Sequence, residues 1–262
     1  MLKAVLCRHS LPAPEGLRGL KIAFISDIHA ANYRKPASLR PLVDQVASLK
    51  ADMILWGGDF AESLGYQRAF FPMLAELKPP LGSFAVMGNN DRECFGGSFP
   101  LMRSLAQRAG IRLLINEEAA VPVGQSRILI AGLDEWKYGL PNAKGMYKGA
   151  REGDLRIMLS HYPHTADKAV VQAALPPHLF LSGHTHGGQM QAFGFSCYTL
   201  GYGYKYARRS RHFYVSGWRE FAEKLPGGGK TAMHMLVSNG IGESLMPLRI
   251  GSPRQIHLIE LT

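Results

Sequence analysis

The feature that most constrains this chain is a recurring one. A short run of strand-forming apolar residues stops at a cluster of Asp, Asn, His and Gly. KIAFI runs into SDIH at residues 21–29, MILW into GGD at 53–59, SFAVM into GNND at 83–91, RIMLS into a His at 156–161, and LFLS into GHTH at 179–186. Helical patterns lie between the runs. Leu39, Leu42, Val43 and Val46 recur at three- and four-residue spacing after Pro36, Phe70, Leu74 and Leu77 do so more weakly, and residues 166–175 form a third pattern. The alternation predicts an α/β sheet with strands buried on both faces. Beyond about residue 186 the helical pattern fades, and AMHMLVS and RQIHLIEL read as strands separated by the turn-rich LPGGGK. No repeat or low-complexity linker divides the 262 residues, so one domain is expected over 1–262, with a basic and aromatic insertion at about 202–226.

In open α/β sheets the carboxyl ends of the strands face a shared crevice where ligands bind. Here successive strand ends deliver Asp27 and His29, then Asp59, then Asn89, then His161, then His184 and His186. Carboxylate and amide oxygens mixed with imidazoles suit Mn²⁺, Fe, Zn²⁺ or Mg²⁺, with Mn²⁺ the first expectation, and no thiolate is required. Seven ligands exceed the need of one tetrahedral ion. With one carboxylate bridging, they match two divalent ions about 3.5–4 Å apart. In an extended chain, residues i and i+2 point to the same side, so Asp27 and His29 are expected to reach one ion from continuing strand geometry, as are His184 and His186.

Composition narrows the class further. A hydrophobic fraction of 46% with 19% charged residues describes a globular chain. Cys7, Cys94 and Cys197 form no CxxC pair and read as reduced thiols in a cytoplasm-like compartment. The start of the chain lacks the long apolar stretch of a signal peptide, and no segment is apolar enough to span a membrane, so a soluble or peripheral protein is expected. The net charge is +10, and residues 168–219 contain no Asp or Glu. Within that stretch Lys205, Arg208, Arg209, Arg211 and Arg219 alternate with Tyr202, Tyr204, Tyr206, Phe213, Tyr214 and Trp218. This is either a surface for phosphates, anionic membrane headgroups or nucleic acid, or ordinary basic loop and strand packing.

Asp27-Ile-His29, Gly58-Asp59, Gly88-Asn89-Asn90-Asp91, His161 and Gly183-His184-Thr185-His186 together resemble the calcineurin-like metallophosphoesterase family, over roughly residues 21–190. The tail from Val237 to Leu261 is similar to the closing strands of its bacterial branch. The resemblance implies a four-layer αββα sandwich of two mixed β-sheets. It also implies that Asp27, His29 and His186 hold one metal, that Asn89, His161 and His184 hold the other, and that Asp59 bridges them. A metal-bridging hydroxide would then attack phosphorus in line with the departing oxygen.

One departure qualifies the chemistry. The family's usual Gly-Asn-His-Asp/Glu motif has its His replaced here by Asn90, and an amide cannot act as a general acid near neutral pH. Asp91, which in the family orients that His, has no obvious partner. Asn90, Asp91 and Arg92 are the candidate catalytic residues, with His164 as a further source of the lost function and Gln189 as a possible substrate contact. The expected activity is hydrolysis of a phosphodiester or pyrophosphate bond, since a phosphate or phenolate departs without a proton. A nucleotide- or lipid-linked substrate of the UDP-diacylglucosamine type fits, met at the inner face of a membrane. The competing classes are a metal-dependent nuclease and a non-catalytic interaction protein on the same scaffold.

Overall fold

Every apolar run singled out above becomes a strand in the computed structural model, which describes residues 3–30, 36–94, 99–192, 195–196, 210–212, 214–244 and 246–262. In chain order the strands are β1 (Val5–Leu11), β2 (Lys21–Ile25), β3 (Met53–Trp56), β4 (Ser83–Ala85), β5 (Ile111–Leu113), β6 (Glu117–Val123) and β7 (Ser126–Gly132). They continue with β8 (Leu155–Leu159), β9 (Leu179–Ser182), the short pair β10 (Gln191–Ala192) and β11 (Phe195–Ser196), β12 (Gly217–Lys224), β13 (Lys230–Val237) and β14 (Gln255–Leu261). The α-helices are α1 (Arg40–Ser48), α2 (Leu64–Leu74), α3 (Asn89–Cys94), α4 (Phe99–Arg108) and α5 (Ala166–Gln172).

The first sheet has the order β1-β14-β2-β3-β4-β5 and the second β12-β13-β9-β8-β7-β6. Both are mixed. β2 to β5 run parallel, with β14 antiparallel to β2. β7, β8, β9 and β13 run parallel, with β6 and β12 antiparallel at the two edges. Register brings the parallel strands to level ends: Ile25 faces Trp56 and Trp56 faces Ala85 in one sheet, while Leu159 faces Leu181 and Val237 faces Ser182 in the other. The polar clusters after these strands therefore gather at one end of the molecule.

Strands buried on both faces need apolar side chains pointing both ways, which is why they read as continuous runs. One set fills the space between the sheets, including Ile22, Phe24 and Leu55 from the first and Ile130, Ile157 and Leu181 from the second. The opposite face of the first sheet packs on α1, α2 and α4 through Val43, Val46, Phe70, Phe71 and Met102. The outer face of the second sheet is covered by α5 and the segment around Met146 and Tyr147. Helix, sheet, sheet, helix is the four-layer αββα sandwich that the family resemblance implied. Local signals agree: Pro stands in the first turn of α1, and the Ser63 hydroxyl accepts from Tyr66 N at 3.3 Å to cap α2.

The stretch expected as an insertion is partly sheet. Residues 217–224 are the edge strand β12, paired with β13. Its aromatic members pack inward: Trp218 stacks on His9 at 4.6 Å, and buried Tyr214 lies under the Arg219 guanidinium at 4.4 Å. Arg211 pairs with Glu223 at 3.3 Å. Tyr202, Tyr204, Lys205, Tyr206, Arg208, Arg209 and Phe213, like Cys197, lie outside the described residues. Among the described residues no helix is long and apolar enough to cross a membrane. The inter-sheet core is expected to dominate stability. Ile157→Ala should lower unfolding free energy by about 2–5 kcal/mol in urea denaturation, and Val171→Ala, 83% exposed on α5, should change it by less than about 0.5 kcal/mol.

Candidate metal centre

The chain does not continue extended past the strand ends. Asp27, His29, Asp59, His184 and His186 have φ of 51°, 48°, 55°, 69° and 52°. Left-handed backbone is uncommon for non-glycine residues, and such strain gathers at functional sites where neighbours over-determine it. The two-residue spacing therefore works differently from the strand alternation expected from sequence. Each motif coils tightly, and the coil is what turns both of its polar side chains into the crevice. Backbone bonds hold it: Asp27 N donates to Gly58 O at 2.9 Å, His29 N to Asp59 O at 3.1 Å, and Gly242 N to Asp27 O at 2.6 Å. Glycine lets the loops touch. A Cβ on Gly58 (φ +90°) would sit 2.3 Å from Gly88 N, and one on Gly183 would sit 2.0 Å from Ser26 Oγ.

The side chains converge on Asp59. Its Oδ2 lies 3.4 Å from His29 Nε2 on one side and 3.3 Å from His161 Nε2 on the other. Asp27 Oδ1 lies 3.6 Å from His186 Nε2 and 3.9 Å from His161 Nε2. His29 Nε2 and His186 Nε2 are 3.1 Å apart. Asn89 Oδ1 accepts from the Tyr162 hydroxyl at 3.2 Å, and the His184 ring sits 3.7 Å from the Tyr162 ring and 5.1 Å from that of His161. The structure thus brings the ligand atoms of Asp27, His29, Asp59, His161 and His186 together, with His184 beside His161 and Asn89 reached through Tyr162.

The residues after Asn89 have other tasks. Asn90 donates from its backbone N to Asp59 Oδ1 at 2.9 Å and from Nδ2 to Asp59 Oδ2 at 2.8 Å. Asp91, expected to lack a partner, is fully buried and accepts from Asp59 N at 2.7 Å, Phe60 N at 2.9 Å, Gly88 N at 3.0 Å and Gln67 Nε2 at 3.0 Å. It pins the Gly-Gly-Asp loop to the Gly-Asn-Asn-Asp loop. Arg92 pairs with Asp134 at 2.6 Å and lies 4.3 Å over the Phe99 ring. Gln189 is buried, and its amide spans Ser244 N at 2.7 Å and the carbonyls of Ser244, Met246 and Leu248 at 2.9–3.1 Å. Cys94 packs half-buried against Ala61 O at 3.6 Å, and burial pushes its thiol pKa up to about 12.

Supporting residues that no motif announced orient the imidazoles by their outer nitrogens. Glu62 Oε1 meets His29 Nδ1 at 3.0 Å, and Gly57 O meets His161 Nδ1 at 2.8 Å. Arg249 donates to His186 Nδ1 at 3.1 Å and His186 O at 3.2 Å, while Ser252 Oγ donates to the same carbonyl at 2.6 Å. Glu62 stands three residues after Asp59, a weak signal. Arg249 stands 63 residues from His186, and local sequence carries no trace of the pairing.

Electrostatics make the cluster a cation trap. Burial disfavours charge on His161, but the Asp59 and Asp27 carboxylates outweigh it and lift its pKa to about 10. Burial likewise works against ionised Asp59, yet His161 and His29 hold it well below the usual carboxylate range. Burial, reinforced by the neighbouring His161 and His29, pushes the pKa of His184 and His186 well below the usual imidazole range and keeps both neutral. Burial and the Asp59 charge push Asp91 up to about 7, against the Gly88 and Phe60 N–H groups that favour its anion.

Metal ions fit this donor set. Asp27, His29 and His186 present ligand atoms within 4.8 Å of one another, as do Asp27, Asp59 and His161. His161 Nε2 is buried with no hydrogen-bond partner, and the two facing nitrogens of His29 and His186 need a proton or a cation between them. Carboxylates and imidazoles together suit divalent cations.

Strand-end carboxylates and imidazoles between two mixed sheets define a metal-dependent phosphoesterase class. The chain belongs to the calcineurin-like phosphoesterase family, whose sequence model matches residues 20–188. The metallophosphoesterase YkuE of Bacillus subtilis is 28% identical over 253 residues, covering 95% of this chain and 81% of its own. Phosphodiesterase YaeI of Escherichia coli is 29% identical over 264 residues, covering 98% and 87%. Among solved structures, a dimetal phosphatase from Danio rerio aligns over 86% of this chain and 88% of its own, with 12% identity and a TM-score of 0.43.

Two outcomes follow. Asp91→Ala leaves buried donors unpaired and should lower stability by at least about 2 kcal/mol in denaturant titration, with reduced metal uptake; wild-type values for both would show the clamp dispensable. Cation binding at pH 7 should release about one proton, from His161. Calorimetry in buffers of differing ionisation enthalpy reads it, and a buffer-independent enthalpy would contradict it.

Proposed function

We propose that this protein is a dinuclear metal-dependent hydrolase of phosphodiester or pyrophosphate bonds. The observation that carries the reading is the position of Asp59 Oδ2, 3.4 Å from His29 Nε2 and 3.3 Å from His161 Nε2, where one carboxylate would serve two cations. Asp27, His29 and His186 would complete one site, and Asn89, His161 and His184 the other. Divalent cations held there supply Lewis acidity toward a phosphoryl oxygen and a nucleophile from water near neutral pH.

The chain's own residues set the substrate preference. Asn90 gives its backbone N–H and one side-chain N–H to Asp59, fixing the shared carboxylate, and its amide is no general acid near neutral pH. Arg92 is held by Asp134. His164 is pushed down to about 4 by burial, against the charge of Asp167, so it is neutral at pH 7 and cannot supply an imidazolium proton. Leaving groups that depart as anions are therefore favoured: a phosphate, or a phenolate, over an alkoxide. The name of the YaeI relative, a phosphodiesterase, supports the diester reading. A lipid-linked substrate met at the inner face of a membrane goes with the Tyr, Lys and Arg run at 202–211.

With Mn²⁺, an aryl phosphodiester or a nucleotide diphosphate sugar should be cleaved faster than an alkyl monophosphate, and EDTA should abolish turnover. Asp59→Asn should lower kcat/KM by at least about a hundredfold. Fastest cleavage of the alkyl monophosphate would reject the leaving-group reading, and unchanged activity of Asp59→Asn would reject the bridged centre.

A further inference from the structure

Two residues outside the ligand set, Arg249 and Tyr162, divide the support of the candidate centre between them. Arg249 is half-buried between β13 and β14, and its guanidinium spreads over carbonyls from separate parts of the chain. Nε donates to Gly242 O at 2.8 Å, Nη2 to Asn239 O at 2.8 Å, and Nη1 to His186 O at 3.2 Å and Ser252 O at 3.3 Å. A planar fork of donors holds such a set in fixed geometry, which a point charge does not. The segment it fastens seats one group of ligands. Ile241 N and Gly242 N donate to Asp27 O at 3.1 Å and 2.6 Å, and a Cβ on Gly242 would sit 2.7 Å from His29 Cβ. His186 is gripped directly, through its own carbonyl. Asp27, His29 and His186 present their ligand atoms within 4.8 Å of one another, and each touches Arg249 or the chain that Arg249 fastens.

Tyr162 serves the other group. It is buried directly after His161, beyond the end of β8. Its hydroxyl donates to Asn89 Oδ1 at 3.2 Å, its ring lies 3.7 Å from that of His184, and it meets the His161 ring edge-on at 5.4 Å. Asn89 follows β4 of the first sheet, while His161 and His184 follow β8 and β9 of the second. One phenol therefore joins ligands from both sheets.

We propose that Arg249 and Tyr162 are positioning residues with separate tasks. Arg249 sets the cation affinity of the site formed by Asp27, His29 and His186, and Tyr162 that of the site formed by Asn89, His161 and His184. The proposal rests on the dinuclear reading, and the same experiment tells the two apart. Metal-free wild-type protein, Arg249→Met, Tyr162→Phe and the double variant are titrated with Mn²⁺ by calorimetry, and hydrolysis of bis(p-nitrophenyl) phosphate is measured alongside. Should Arg249→Met fail to fold, Arg249→Lys replaces it, since an ammonium keeps the charge and loses the fork.

Wild-type protein should take up two ions. Each single variant should keep one ion at wild-type affinity and weaken the other at least about tenfold, and the double variant should weaken both. Two ions held at wild-type affinity in the single variants, or both weakened alike by either one, would overturn the proposal. So would a double variant that weakens only one ion, because both residues would then serve the same site. A guanidinium also repels a nearby cation, so tighter binding in Arg249→Met would show repulsion outweighing position and would overturn the role of Arg249. Wild-type protein that binds fewer than two ions removes the dinuclear reading and this proposal together. Two separable ions in a protein that leaves the diester intact would keep the proposal and count against the hydrolase reading alone.

Discussion

The structure depends on holding one carboxylate where two imidazoles from different sheets can face it. Asp59 follows β3 of the first sheet, His29 follows its neighbour β2, and His161 follows β8 of the second sheet. The position is fixed from several directions. Asn90 donates two N–H groups to the carboxylate itself, Asp91 grips the Asp59 backbone N–H, and Asp59 O accepts from Ile28 N and His29 N. Charge-assisted bonds of this kind are among the stronger ones in a protein, and burial strengthens them further. The left-handed backbone of Asp59 would not persist alone; the neighbouring loops determine it. Close approach of Gly58 to Gly88 is part of the same construction, because any side chain there would separate the loops that meet at Asp59.

Charge explains why so polar a cluster tolerates burial. Asp27, His29, Asp59 and His161 are at most 2% exposed. Buried charges of one sign are strongly unfavourable unless compensated. A proton on His161 compensates the carboxylates while the cations are away, and two divalent ions would do so more completely. The outer nitrogens of the imidazoles are engaged by Glu62, Gly57 and Arg249, so the inner nitrogens of His29, His161 and His186 stay directed at the carboxylates. Arg249 and Gln189 also tie down the chain between β13 and β14, which closes over the Asp27 coil through Ile241 and Gly242.

Much of this was legible in the sequence, for a physical reason. Strands buried on both faces have no polar alternation, so β2, β3, β4, β8 and β9 stood out as apolar runs, and the crevice at their ends made the following Asp, Asn and His conspicuous. Other elements left weaker traces. β1 carries Arg8, His9 and Ser10 as a half-exposed edge strand, β6 contains Pro122, and β5 is three residues long. Helix α2 ends at Leu74, short of the periodicity that reached Leu77. Within the site, residue identity was readable and local geometry was not. The coils at Asp27–His29 and His184–His186 were expected as extended chain, because left-handed φ at Asp and His is imposed by tertiary bonds. Asp91 shows no partner in the sequence, since its donors come from Asp59, Phe60, Gln67 and Gly88. Pairings such as Arg249 with His186 exist only in the fold.

The central claim is that Asp59 sits between two cations. Anomalous scattering from crystals soaked in Mn²⁺, recorded on both sides of the manganese edge, tests it most directly. Two peaks about 3.5–4 Å apart, one beside His29 and His186 and the other beside His161 and His184, both within bonding distance of Asp59, are the expected result. A single peak, or two that do not share Asp59, would contradict the account.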